Sequence, residues 1–225
     1  VDNDAGLGAC TALGSKFLDS SNNEIFPIPE NFERITQITM ATPLQHPITV
    51  LSDVCNPLFG TKGSAFNYAR QKGANDDQIA FIDKGHRHIA EIAGGEPDVP
   101  GAGAAGGCGY GLATLLNASI EPGALTMIQE SGFVNELKNA DLLITGEGCL
   151  DSQSLNGKLI SHQMKISHDL KVPIAAIVGN YKHFENTIHI IKSLTEIAPS
   201  KSEAIINPSK YLIEASSELA LVFSG

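Results

Sequence analysis

The sequence predicts an α/β protein built as two α/β domains. A mixed α+β domain over residues 1–120 is followed by part of a Rossmann-like, parallel-sheet domain over residues 121–225. Three observations carry this expectation. After about residue 140, apolar runs of strand length alternate with helical stretches, as parallel strands joined by helical crossovers require. The first hundred residues hold a hairpin signal and irregular spacing instead. Between the two patterns, Pro122-Gly123 marks a break.

The elements follow in order. Small and apolar residues from Ala5 to Leu13 suit a short helix, and Lys16-Phe17-Leu18 and Glu24-Ile25-Phe26 flank Ser20-Ser21-Asn22-Asn23 as the arms of a hairpin would. The alternation Ile35 to Met40 and the run Ile48 to Leu51 predict strands, the second delivering Ser52-Asp53-Val54. Residues 55–75 form a long connection with Asn56-Pro57 and three glycines, a length at which loops are commonly functional. Asp76-Asp77 supplies an N-cap and acidic first turn to a helix whose Ile79, Ile82, Ile89 and Ile92 fall near one face. That helix stops at Gly94-Gly95. Leu112 to Ala118 and Leu125 to Lys138 read as helices, Leu142 to Thr145 as a strand, Ser154 to Leu170 as a helix, Val172 to Val178 as a strand, and Lys210 to Leu221 as the last helix.

With 225 residues and 42% apolar residues the chain supports real cores. A net charge of -10 argues against nucleic acid or an anionic membrane as main partner, since both require a basic face. It leaves a small anionic substrate open, because Lys62, Arg70, Lys72 and Lys158 are local cations. The longest uncharged stretch, Val99 to Ile120, is too glycine-rich for a membrane span, and Val1 to Leu13 carries two aspartates and no basic start. Cys10, Cys55, Cys108 and Cys149 form no Cys-x-x-Cys pair and no metal-ligand spacing, so they read as small buried hydrophobes in a reducing cytoplasm.

Three segments could carry chemistry. The first is Thr145-Gly146-Glu147-Gly148-Cys149-Leu150-Asp151-Ser152-Gln153, directly behind the apolar run Asp141 to Ile144. It reads as a turn at the carboxyl edge of a sheet, where α/β enzymes hold ligands. There Glu147 or Asp151 could position a metal or accept a proton while the other orients it, with Lys158 following; helix capping by Asp151 or Ser152 is the competing use. The second is Pro100 to Gly111, with six glycines in eleven positions ahead of a helix. Glycines let backbone N–H groups approach an anion, but close helix packing or a hinge explains them equally simply. The run contains Gly101-x-Gly103-x-x-Gly106 without a preceding strand, a weak dinucleotide fingerprint. The third is Asp53-Val54-Cys55-Asn56-Pro57-Leu58 with Gly60, Gly63 and Arg70-Gln71-Lys72-Gly73. Asp53 could bind Mg2+ directly or through water, or simply cap a turn, and Lys72 could neutralise a phosphoryl oxygen. His86 and His88 are two apart on a helix and face different directions, against joint metal binding. No Gly-x-Ser-x-Gly elbow is present.

Taken together the segments resemble the bacterial-type glycerate kinase family. The resembling residues are Asn3-Asp4 with Gly6 and Gly8, Phe17-Leu18-Asp19, Asp53-Val54-x-Asn56-Pro57-Leu58-x-Gly60, Gln71-Lys72-Gly73-Ala74, Pro100 to Gly107, Ala140 to Gly148 with Leu150-Asp151-x-Gln153, and Gly157-Lys158. They stand in family order through Val178-Gly179. The resemblance implies ATP- and Mg2+-dependent phosphorylation of D-glycerate to 2-phosphoglycerate, or 3-phosphoglycerate, in a cleft between two α/β domains. It implies Asp151 as base or hydroxyl-orienting carboxylate, Glu147 as a catalytic carboxylate, Glu147 and Asp53 as Mg2+ ligands, and Lys72 and Lys158 on phosphate or carboxylate. Asn3, Asp4, Asn56, Gln71 and Gln153 would join the substrate and nucleotide contacts, and Gly101, Gly103, Gly106 and Gly107 would supply backbone donors.

The resemblance also implies a further α/β segment ahead of the point where this chain starts, so a truncated form is expected. The tail from Tyr181 to Gly225 matches only loosely. The expected partner is the small-molecule substrate, with a homo-oligomer left open. Two rival readings stay in view: a catalytically silent remnant that binds a sugar acid or nucleotide, and a dinucleotide-dependent oxidoreductase.

Overall fold

In a computed structural model, residues 3–151, 159–182 and 188–223 are described. The chain is of mixed α/β architecture with parallel sheets, and it divides into two compact units, Val1–Gly123 and Ala124–Gly225.

The first unit contains α1 (Leu7–Ala12), β1 (Lys16–Leu18), β2 (Gln37–Thr39), β3 (Thr49–Ser52), α2 (Asp76–Ala93), α3 (Ala104–Leu116) and β4 (Ser119–Pro122). β1 pairs antiparallel with β2, setting Phe17 opposite Ile38, and β3 pairs parallel with β4, setting Thr49 opposite Ser119. Leu7, Phe17, Phe32, Ile35, Leu58, Ile89 and Tyr110 form its core. The expected hairpin is present but short: Asp19 closes the turn with its carboxylate on the N–H groups of Ser21 and Asn23, Glu24 bridges Leu18 antiparallel, and the Ile25 N–H donates to Phe17 O at 2.8 Å, while the extended ladder of β1 is with β2. The long connection carries two short helical turns, Ala65–Ala69 and Arg70–Lys72.

α2 starts one residue earlier in its cap than expected. Asn75 accepts the Gln78 N–H at 2.9 Å while Gln78 Oε1 accepts the Asn75 N–H at 2.9 Å, a reciprocal capping box that leaves Asp76 and Asp77 in the first turn, where the helix dipole favours them. The helix buries Ile79, Ile82 and Ile89 and ends at Gly94, with φ +72°. Gly85 lies under Phe32: a Cβ there would sit 2.7 Å from the ring.

In the second unit, α4 (Gly123–Glu130) and α5 (Phe133–Leu137) precede β5 (Leu143–Leu150), α6 (Leu159–Leu170), β6 (Ile174–Tyr181) and β7 (Ile190–Ser193). Three short-to-long helices follow, α7 (Leu194–Ile197), α8 (Lys201–Ile206) and α9 (Pro208–Phe223). The sheet is parallel in the order β5-β6-β7. Central β6 buries Ala175, Ala176 and Val178, the near-continuous apolar run expected of a strand covered on both faces.

Three expectations change here. The helix placed over Leu125 to Lys138 is two helices, parted at Gly132 with φ +71°. Strand β4 lies where only the break at Pro122-Gly123 after a helix ending at Ala118 is expected, and it pairs with β3. The strand expected to stop at Thr145 runs on to Leu150 and stays in register with β6, Glu147 opposite Val178 and Leu150 opposite Tyr181.

Candidate functional site

In the first unit the segments that stood out in the sequence fold against one another. The Gly103 N–H donates to Asn56 O at 2.8 Å, and the Ala5 N–H donates to Gly106 O at 3.0 Å. A Cβ at Gly103 would lie 2.1 Å from Pro57 O, one at Gly107 2.9 Å from the Ala5 Cα, and one at Gly111 2.1 Å from Ala5 O. The glycines therefore let three backbones touch. Gly101, Gly106 and Gly107 have φ of +91°, +74° and +91°, which only glycine adopts readily, so the run also needs them for its turns. Two of the four expected backbone donors have other work: the Gly103 N–H is taken by Asn56 O and the Gly107 N–H by Gly103 O.

Asp4 organises the loop ahead of α1. Its carboxylate accepts the Gly6 N–H at 2.8 Å and the Gly8 N–H at 2.9 Å. Asn56 is likewise drawn into the scaffold, donating to Lys62 O at 2.8 Å and accepting the Tyr68 hydroxyl at 2.5 Å. Asp53 follows β3 directly and is exposed, with its carboxylate against the backbone of Gly123, where a Cβ would be 3.3 Å from Oδ1. Gln71 is exposed on the short turn before Gly73.

Lys72 and Asn3 meet elsewhere on this unit. Both line a cavity of about 470 Å3, together with Glu30, Gly73, Gln78 and Phe81. Asn3 is 1% exposed, and neither its Oδ1 nor its Nδ2 has a hydrogen-bond partner among the described residues. A buried amide left this way is costly unless a ligand or water completes it. Beneath it, His86 is fully buried with Nε2 3.1 Å from Asn3 O, and burial pushes its imidazole below the ordinary value against the opposing pull of that carbonyl and Asp83. His86 is thus held neutral as a prop for the Asn3 backbone. His88 reaches Ile35 O instead, at 2.9 Å. Glu30 and Gln78 do not stand out in the sequence, because Gln78 falls in the first turn of a predicted helix and Glu30 has no motif around it.

In the second unit, Glu147 lies within β5 and Asp151 immediately after it, both half-buried. The two carboxylates do not share a tight turn. Four residues of extended chain span about 13 Å, so the pair is spread along the strand. Thr145, on the same face as Glu147, donates to Gln163 Oε1 of α6 at 2.6 Å. Gln153 and Lys158 lie outside the described residues. Among the described residues no three His, Cys, Asp or Glu side chains converge as a metal-holding group. Mg2+ commonly takes only one or two carboxylates beside substrate phosphates, so the donor chemistry of Asp53 or Glu147 suits it.

Fold and sites define an α/β protein that presents acidic side chains at the carboxyl ends of parallel strands and a cation-and-amide cavity suited to a small polar ligand. The chain belongs to the glycerate kinase family, whose model matches residues 1–224. It is 32% identical to the glycerate kinase of Bacillus subtilis (strain 168), over 97% of this chain and 61% of that protein. It is 34% identical to the glycerate kinase of Halalkalibacterium halodurans, over 99% of this chain and 62% of that one. The glycerate 2-kinase of Escherichia coli (strain K12) is 32% identical over 83% of this chain and 51% of its own length. A crystal structure of a protein assigned as glycerate kinase 2 from Salmonella typhimurium LT2 superposes with a TM-score of 0.75 at 27% identity, covering 99% of this chain and 62% of that one. The chain thus spans roughly half to three fifths of the length of these relatives. None of the described helices is long and apolar enough to cross a membrane.

Proposed function

We propose that this chain carries the working parts of a glycerate kinase, transferring the γ-phosphoryl group of ATP to a hydroxyl of D-glycerate with Mg2+ in the cytoplasm. The observation that supports this most directly is the cavity shared by Lys72 and the buried Asn3 amide. A lysine ammonium pairs with the glycerate carboxylate, while amides and a carboxylate such as Glu30 suit its two hydroxyls. Phosphoryl transfer asks mainly for positioning and charge neutralisation, which these residue types provide. Asp151 orients the acceptor hydroxyl and draws off its proton. Mg2+ bound with the nucleotide would neutralise phosphate charge, and Glu147 or Asp53 is the carboxylate of this chain that would hold it. Lys158 and Gln153 complete the contacts to phosphate and substrate. The 2-hydroxyl is the proposed acceptor, by analogy with the name of the Escherichia coli relative.

The test is release of ADP on addition of D-glycerate, with L-glycerate and glycerol as controls, and the product scored by direct consumption with enolase, which accepts 2-phosphoglycerate and not the 3-isomer. Lys72→Ala should raise the KM for D-glycerate by about 10- to 150-fold, the loss of one charge-assisted hydrogen bond of about 1.5–3 kcal/mol. Absence of both turnover and D-glycerate binding would defeat the proposal. The alternative is a chain that binds the sugar acid or nucleotide without turnover. Measurable binding with no ADP release would select it.

A further inference from the structure

A second cavity lies in the other unit, and none of the motif residues expected to bind substrate explains it. Its volume is about 330 Å3, near the lower end for small-molecule sites, and it opens at the carboxyl ends of β5 and β6. Two glycines stand in its floor beside Cys149 and Asn180. Gly148 and Gly179 face each other on the two strands, and a Cβ at Gly179 would lie 2.5 Å from Gly148 O, whereas one at Gly148 would meet nothing within 4 Å. Position 148 therefore fronts open space that the protein leaves unfilled. The walls are aliphatic, from Leu194, Ala204 and Ile205.

Polar groups are few and ordered. Asn180 ends the floor on β6; its Oδ1 accepts the Thr195 hydroxyl at 3.0 Å, and Thr195 is in turn 2.9 Å from Ser193 Oγ. With its oxygen held this way, the Asn180 NH2 is the group it offers a ligand. Lys201 lines the cavity as its cation. A mostly apolar cavity with one oriented amide and one ammonium suits a heteroaromatic base attached to anionic phosphates. Glu147, opposite Val178 in the same strand pair, lies one residue from this floor.

We propose that this cavity receives the adenosine end of the phosphoryl-donating nucleotide, with Asn180 contacting the base and Lys201 the phosphates. The inference rests on the kinase reading and names which unit takes the donor. It is tested by calorimetric titration of the 225-residue chain and its variants with MgATP, inorganic tripolyphosphate and D-glycerate, beside the ADP-release assay. Gly148→Val adds a side chain where the backbone has room, so it folds normally, which thermal unfolding checks. It should weaken MgATP at least tenfold, and Asn180→Ala severalfold, while tripolyphosphate and D-glycerate bind as before. MgATP affinity unchanged in both variants, with glycerate-dependent ADP release intact, overturns this site and leaves the kinase reading standing. Wild-type chain that neither binds MgATP nor releases ADP overturns both.

Discussion

Gly103→Ala separates two uses of the glycine run, anion cradle and close packing. Gly103 has φ -79°, a conformation any residue adopts, so its glycine is not required for the turn. What a methyl group meets is backbone: 2.1 Å to Pro57 O, 2.9 Å to Pro57 C and 3.0 Å to Asn56 O. A comfortable carbon–oxygen contact is about 3.3 Å or more, so the segments must part by roughly 1 Å. Parting them breaks the 2.8 Å hydrogen bond from Gly103 N–H to Asn56 O. Overpacking costs about 1–3 kcal/mol and the lost bond about 1 kcal/mol, so the variant should lose about 2–4 kcal/mol. Gly73→Ala is the reference: φ is +94° with nothing within 4 Å, leaving backbone strain of about 1–2 kcal/mol alone. Urea unfolding followed by circular dichroism reads both. If Gly103→Ala unfolds within about 0.5 kcal/mol of wild type, the packing argument fails; loss of nucleotide affinity in that stable variant would return the run to anion binding.

Further expectations concern the same unit. Because burial lowers the His86 pKa, the unfolded chain takes up a proton near pH 6.5 that the native chain refuses, so stability present above that pH is lost as pH falls. Stability should therefore fall as pH drops below about 6.5 and fall less in His86→Gln; an unaltered pH dependence in that variant contradicts the assignment. Asp83→Ala removes the acceptor of the Gly60 N–H, at 2.6 Å, and the partner of Arg87, at 3.0 Å, and should cost about 2–3 kcal/mol in urea, with Asp83→Asn costing less. The Cys10 thiol is pushed up to about 12 by burial and by nearby Cys108 and Asp4, so at pH 8 a thiol reagent should label exposed Cys55 and Cys149 first and Cys10 only after denaturation. Rapid labelling of Cys10 in the native protein would show that the α1 helix opens.

Much of the architecture was legible because it is local. Apolar alternation marked β2 and β3, and the isoleucine spacing marked the buried stripe of α2. Strand β4 escaped because Ser119-Ile120-Glu121-Pro122 has one apolar residue, and its extended form is imposed by pairing with β3, some seventy residues earlier. The glycines of β5 misled for a related reason. Gly146 and Gly148 read as turn residues, yet in a strand glycine also permits close approach, and Gly148 O does press on the position of Gly179. At the candidate site the motif residues were visible but not their division of labour. Nothing in the spacing says that the Asp4 carboxylate caps Gly6 and Gly8 or that Asn56 is bonded to Lys62 and Tyr68, whereas Asn3 is buried with its amide unsatisfied.

The extension of β5 also changes how Glu147 and Asp151 can act. Two carboxylates on one Mg2+ lie with their oxygens about 2.0–2.1 Å from it, so their carboxyl carbons come within roughly 6 Å of each other. Positions separated by about 13 Å of strand do not meet that condition while β5 stays paired through Leu150. In the proposed reaction the two acids would therefore have separate tasks, one on the metal or phosphate and one on the acceptor hydroxyl. Groups more than about 7–10 Å apart with no shared partner have additive effects. In glycerate phosphorylation, the fold reductions in kcat/KM from Glu147→Gln and Asp151→Asn should therefore multiply in the double variant. A double variant no worse than the poorer single one would mean that both carboxylates grip one ion, and that β5 releases its last residues from β6 when the substrates bind.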